Sequence, residues 1–115
     1  MLLRAMPRRR AAMLACALGG LLLAGRVARA DDAQITIDNF SFTPPTLTVA
    51  AGTKVVWTNH DDIPHTVVDA AATPPGWRSK ALDTDDSYSR VFDKPGTYRY
   101  FCSLHPHMQG TLVVQ

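Results

Sequence analysis

The sequence predicts an all-β sandwich of about seven strands, preceded by a cleavable signal segment, and three observations carry that reading. Beyond residue 30, short runs rich in β-branched and aromatic residues are separated by turns built from Pro, Gly, Asn and Asp. Within runs such as Lys54-Val55-Val56-Trp57-Thr58 and Tyr98-Arg99-Tyr100-Phe101, polar and apolar side chains alternate, the period of a strand with one face on a core. No stretch of this region repeats at the helical period, and such runs at regular spacing form an antiparallel or mixed β-sandwich.

In chain order the expected strands are "QITIDNFSF" from Gln34, "TLTV" from Thr46, "TKVVWTN" from Thr53 and "HTVV" from His65. "SYSRVF" from Ser87, "TYRYF" from Thr97 and "GTLVVQ" from Gly110 complete the set. The turn Asp93-Lys94-Pro95-Gly96 has a stated mechanism: proline presets φ and glycine tolerates a positive φ, so it joins the run ending at Phe92 to the one starting at Thr97. From Asp69 to about Asp86 the chain carries Pro74, Pro75, Gly76 and then Asp83, Asp85 and Asp86, which reads as a surface excursion. No internal repeat is visible, and residues 31–115 make one domain.

Residues 1–30 read as a secretory signal peptide. "MLLRAMPRRR" supplies a basic start, "AAMLACALGGLLLAG" an apolar run, and Ala28-Arg29-Ala30 a small-x-small site with cleavage expected after Ala30. The apolar run falls short of the roughly 20 residues that a spanning helix needs, and Gly19, Gly20 and Gly25 interrupt it, so no membrane span is expected. Arg8-Arg9-Arg10 lacks the rest of a twin-arginine signal, and lipidation at Cys16 would leave too short an apolar stretch before it; ordinary export to the periplasm is the expectation.

Removing that segment inverts the charge. Six of the twelve basic residues lie within it, whereas all ten acids, each an aspartate, follow it, so six basic and ten acidic residues leave the mature domain at a formal −4. The sequence therefore gives no support to nucleic-acid binding. With Cys16 removed, Cys102 is the sole thiol in an oxidising compartment and has no intramolecular disulfide partner.

Cys102 belongs to "CSLHPHM", residues 102–108, which packs a thiol, two imidazoles and a thioether between two expected strands. Cys102, His105 and Met108 recur at spacings of three, so one loop can aim three donors at one point. His65, after Pro64, supplies a fourth if its strand lies beside that loop. Two imidazole nitrogens, a thiolate and a long thioether contact form the donor set that selects copper in an electron-transfer site. Bound to metal, the thiolate would be deprotonated and protected from oxidation.

At these residues the chain resembles the cupredoxins, the blue-copper family, and most closely their amicyanin branch, from Ile35 to Gln115. "CSLHPHM" is similar to the short C-x-x-H-x-x-M loop of amicyanins, and "WTNHDDIPHTV" to the upstream segment of the family. The resemblance implies a cupredoxin-like Greek-key sandwich and one type 1 copper ion held by His65, Cys102, His105 and Met108. It also implies that Asn59 steadies the cysteine loop by hydrogen bonding. Leu104 stands where the amicyanin loop usually has proline, and His107 where it usually has an aromatic residue; neither removes a ligand, and both bear on the potential and the partner surface.

Each residue has a plainer reading. Cys102 alone could be a buried hydrophobe, His65 a core histidine satisfied by backbone, and Met108 a core filler. His60 and His107 read as surface residues, and Asp61-Asp62 and Asp83-Asp85-Asp86 as solvated turns without the adjacent base a hydrolase needs. Trp57 reads as core and Trp77 as a loop cap, whereas Ile63, Pro64, Leu104 and Pro106 could form a docking patch around His105.

The expected function is a periplasmic, monomeric electron carrier, not an enzyme. It would pass one electron between redox proteins, a dehydrogenase or a c-type cytochrome, by transient docking near His105. The alternative from the same donors is a periplasmic copper-trafficking or copper-buffering protein. A cysteine hydrolase pairing Cys102 with His105 would lack the third, orienting group, and four histidines are too few for a multicopper enzyme.

Overall fold

The computed structural model describes residues 31–115. The signal peptide and the cleavage after Ala30 fall on residues 1–30, outside the described part. Eight strands form, β1 (Ala33–Asp38), β2 (Ser41–Thr43), β3 (Thr46–Val49), β4 (Thr53–Asn59), β5 (Val68–Asp69), β6 (Ser87–Phe92), β7 (Gly96–Phe101) and β8 (Gln109–Val114), with no helix among the described residues. They make two four-stranded sheets, in the orders β2-β1-β4-β6 and β3-β8-β7-β5. The β1–β4 and β3–β8 pairs are parallel and the others antiparallel, the mixed arrangement that the strand spacing allowed.

The extra strand comes from the first run, which folds back on itself at Asn39 and Phe40. Both residues have positive φ, 51° and 57°, the backbone of a tight hairpin turn. Phenylalanine at such a φ costs about 1–2 kcal/mol and no local propensity announces it. The fourth run is shorter than expected: His65 makes an isolated bridge to Leu82, and only Val68 and Asp69 pair with β7, opposite Phe101 and Tyr100. That pairing nonetheless sets the His65 segment beside the strand leading to Cys102.

Period-two alternation places the core. β4 turns Val55, Trp57 and Asn59 inward, β1 contributes Ile35 and Ile37, and β6 Phe92; from the opposite sheet come Tyr100, Leu112 and Val114. Each such large apolar side chain contributes about 1.5–3 kcal/mol on burial. Cys102 and Met108 belong to the same cluster, so the end of the core is also the wall of the donor loop. Gly110 on β8 lies flat against the Tyr100 ring, where a Cβ would overlap the phenol carbons.

The excursion after β5 is less peripheral than its composition implied. Asp69 accepts the amides of Ala71 and Gly76 at 2.9 Å each, closing its first half into a compact loop. Its second half returns to the core: Ser79 exchanges bonds with Val67, and Leu82 is buried against His65. Trp77, expected as a loop cap, packs between Trp57 and Tyr88, with the Arg90 guanidinium 5.5 Å from its ring centre. The turn from Asp93 to Gly96 joins β6 to β7 as expected.

Candidate metal centre

Two backbone segments bring the donors together. The loop from Cys102 to Met108 is closed by hydrogen bonds from Cys102 N to Met108 O (3.1 Å) and from Met108 N to His105 O (2.9 Å), so its ends sit at one strand spacing. The His65 segment is fixed by reciprocal bonds with Leu82, 3.1 Å and 2.8 Å, just after a loop where Pro64 bars helix. The result is a cluster in which the ligating atoms of His65, Cys102 and His105 all lie within 4.8 Å of one another. Cys102 Sγ is 3.8 Å from Nδ1 of each imidazole.

Those separations fit a metal ion of first-row size. Bonds of about 2.3 Å to thiolate and about 2.0–2.1 Å to imidazole, opened to a trigonal angle, set sulfur and nitrogen about 3.8 Å apart. His65 and Cys102 are fully buried, each 0% exposed, while His105 is partly exposed. Met108 is buried in the core cluster on the same loop. The four residues singled out from sequence are therefore positioned as one site, whereas His60 and His107 are exposed and outside the donor group.

Neighbouring polar groups hold the donors, and here the structure corrects two expectations. Asn59, expected to steady the cysteine loop, donates instead to Ile63 O and Leu82 O (2.9 Å each) and accepts from Asp61 N (2.9 Å). Sitting at the inward end of β4, it reaches the chain on the His65 side, which it braces. The cysteine loop is held by Thr66, directly after His65: its amide points at Cys102 Sγ (3.4 Å), its hydroxyl accepts from Ser103 N (2.8 Å) and pairs with Ser103 Oγ (2.8 Å). A hydroxyl one residue past a donor histidine was the available signal for it.

The second correction is Asp61, read from sequence as a solvated turn. Its side chain is only 11% exposed, and it accepts Asn39 N at 2.7 Å and Phe40 N at 3.0 Å while meeting His65 Nε2 at 2.7 Å. Burial would raise its pKa, yet the Phe40 and Asn39 amides, with His65 and Asp38 side chains, hold the carboxyl down to about 2. Asp62 beside it is exposed as expected.

The hairpin that Asp61 clamps presents Phe40, a residue sequence reasoning missed. Phe40 meets the rings of His65 and His105 edge-on, centroids 5.3 Å and 5.0 Å apart, and is itself 49% exposed. Leu104, at 52%, is a second large exposed apolar residue, within the donor loop. Phe40 borders the partly exposed His105 ring, and Leu104 precedes His105 directly in the chain.

A buried thiol flanked by two imidazoles at the end of an eight-stranded sandwich defines a small single-metal redox domain. The chain belongs to the cupredoxin-like domain family, whose match spans residues 11–114. Amicyanin-alpha of Methylorubrum extorquens is 35% identical over 100 residues, covering 84% of this chain and 82% of that protein. Plastocyanin of Scenedesmus fuscus is 40% identical over 84 residues, covering 64% and 86%. Among solved structures, a purple cupredoxin from Nitrosopumilus maritimus superposes with a TM-score of 0.68 at 34% identity, over 73% of this chain and 100% of that one.

Proposed function

We propose that the chain is an exported blue-copper electron carrier in which His65 Nδ1, Cys102 Sγ and His105 Nδ1 would hold a single copper ion, with Met108 as the fourth donor. The observation that carries this reading is the convergence of those three donor atoms within 4.8 Å, with the thiol fully buried. When bound, copper supplies a one-electron couple in a site shaped between the preferences of its two oxidation states. The residues do the rest. The closed loop and the Thr66 bonds keep the donors from rearranging, and Phe40, Met108 and the core keep water from the thiolate.

His105 is the donor nearest solvent, so its edge is where the electron crosses to a partner. Phe40 packs on that ring and Leu104, its exposed chain neighbour, adds apolar surface on the same loop as His105, suited to brief docking of a dehydrogenase or c-type cytochrome by a monomeric carrier. Export through residues 1–30 puts the domain, residues 31–115, in the periplasm; among the described residues no helix is long and apolar enough to cross a membrane. No bond change is catalysed in this reading, since the Cys102 sulfur is closed off from any substrate.

Burial also favours carriage over copper trafficking. Handing copper to an acceptor requires donors the acceptor can reach, and two of the three here are 0% exposed. Voltammetry of the copper-loaded protein tests this: a reversible one-electron wave that survives repeated cycling is expected. Rapid loss of copper to a chelator, with no reversible wave, would overturn carriage in favour of trafficking.

A further inference from the structure

Asp61 is outside the donor set but is bonded to it through one carboxylate. Oδ2 stands 2.7 Å from His65 Nε2, the ring nitrogen that faces away from Cys102, and the same carboxylate takes the Asn39 and Phe40 amides. Its backbone amide donates to Asn59 Oδ1 at 2.9 Å, and its backbone carbonyl accepts from Thr84 Oγ1 at 2.7 Å, so main chain and carboxylate are both anchored. An ionised carboxylate only accepts, which makes His65 Nε2 the donor and leaves the lone pair on Nδ1, aimed at the sulfur 3.8 Å away.

We propose that Asp61 is the positioning residue of the site: it fixes His65 as the Nε2–H tautomer and, by its negative charge, makes that imidazole a stronger donor to the oxidised metal than to the reduced one. The second half rests on the copper reading above; the first does not. A carboxylate hydrogen-bonded behind a metal-bound imidazole raises the basicity of the ligand, and losing such a partner weakens metal binding about 10- to 100-fold. Because added ligand basicity favours the more highly charged ion, Asp61 lowers the reduction potential. The same carboxylate fixes the hairpin carrying Phe40, so the potential and the apolar rim around His105 are set by one side chain.

The test has two arms. In the metal-free protein, long-range proton–nitrogen NMR correlations of the His65 ring are expected to show Nε2 protonated and Nδ1 bare; the opposite tautomer overturns the proposal without any variant. In the copper-loaded protein, Asp61→Asn is expected to bind Cu(II) about tenfold more weakly with Cu(I) binding nearly unchanged, a rise in potential of about 59 mV for a one-electron couple. Asp62→Asn removes the same charge from an exposed neighbour and is expected to shift the potential much less. An Asp61→Asn shift no larger than that of Asp62→Asn overturns the tuning role. A wild-type protein that forms no coloured copper adduct refutes the copper reading instead, and the tautomer measurement then decides what Asp61 does to His65.

Discussion

Replacing Thr66 by valine keeps the shape of the side chain and removes the hydroxyl that joins the two donor segments. Two bonds of 2.8 Å are lost, from Ser103 N and with Ser103 Oγ, together with the longer contact to Cys102 Sγ at 3.7 Å. A neutral intramolecular hydrogen bond contributes about 0.5–1.5 kcal/mol net, so the metal-free protein loses about 2 kcal/mol. For a domain of this size that lowers the Tm by about 8–16 °C. Thermal unfolding of metal-free wild type and Thr66→Val, followed by far-ultraviolet circular dichroism, measures it. Copper-loaded Thr66→Val should retain its visible band, because the Thr66 amide still points at the sulfur. A Tm unchanged within a degree would refute the claim that Thr66 ties the cysteine loop to the His65 segment.

Other consequences follow from the core and its titrating groups. Gly110→Ala drives a methyl into the buried Tyr100 ring and is expected to destabilise by about 1–3 kcal/mol in urea unfolding, as overpacked cores do. The Asp61 carboxyl has a folded pKa of about 2, below its ordinary 3.8, so its contribution is full above about pH 4 and is lost as pH falls toward 2. Metal-free Asp61→Asn should therefore differ in stability from wild type near pH 7 and converge with it at low pH. Burial, opposed by Trp57, pushes the Tyr100 hydroxyl up to about 12 from its ordinary 10. Its contribution is full below pH 10 and disappears as pH rises through 12, so an ultraviolet titration of the folded protein should show a tyrosine ionising near 12 that is lost in Tyr100→Phe.

What the sequence made legible was whatever depends on neighbours in the chain. The two-residue period of Lys54 to Thr58 and of Tyr98 to Phe101 became β4 and β7, and the spacing of Cys102, His105 and Met108 became one closed loop. What it hid depends on residues far apart. The hairpin at Asn39 and Phe40 exists against the preference of phenylalanine because one carboxylate, 22 and 21 residues away, binds both amides. That hairpin made Phe40 an unforeseen wall of the site. Asp61 looked like a solvated turn for the same reason, its partners lying in the turn between β1 and β2 and on His65. Leu82 was silent, and Thr66 offered only its place after His65, because a leucine or a hydroxyl acquires its role when the returning excursion or the 103 loop arrives beside it.

The central claim is that residues from two separate stretches enclose a single copper ion through the Cys102 sulfur. Titration of the purified protein with Cu(II), read by visible absorption and electron paramagnetic resonance beside Cys102→Ser, tests it most directly. An intense thiolate-to-copper band that saturates at one equivalent in the wild type and is abolished in Cys102→Ser is expected. A colourless wild-type adduct, or a band that persists without the sulfur, would contradict it.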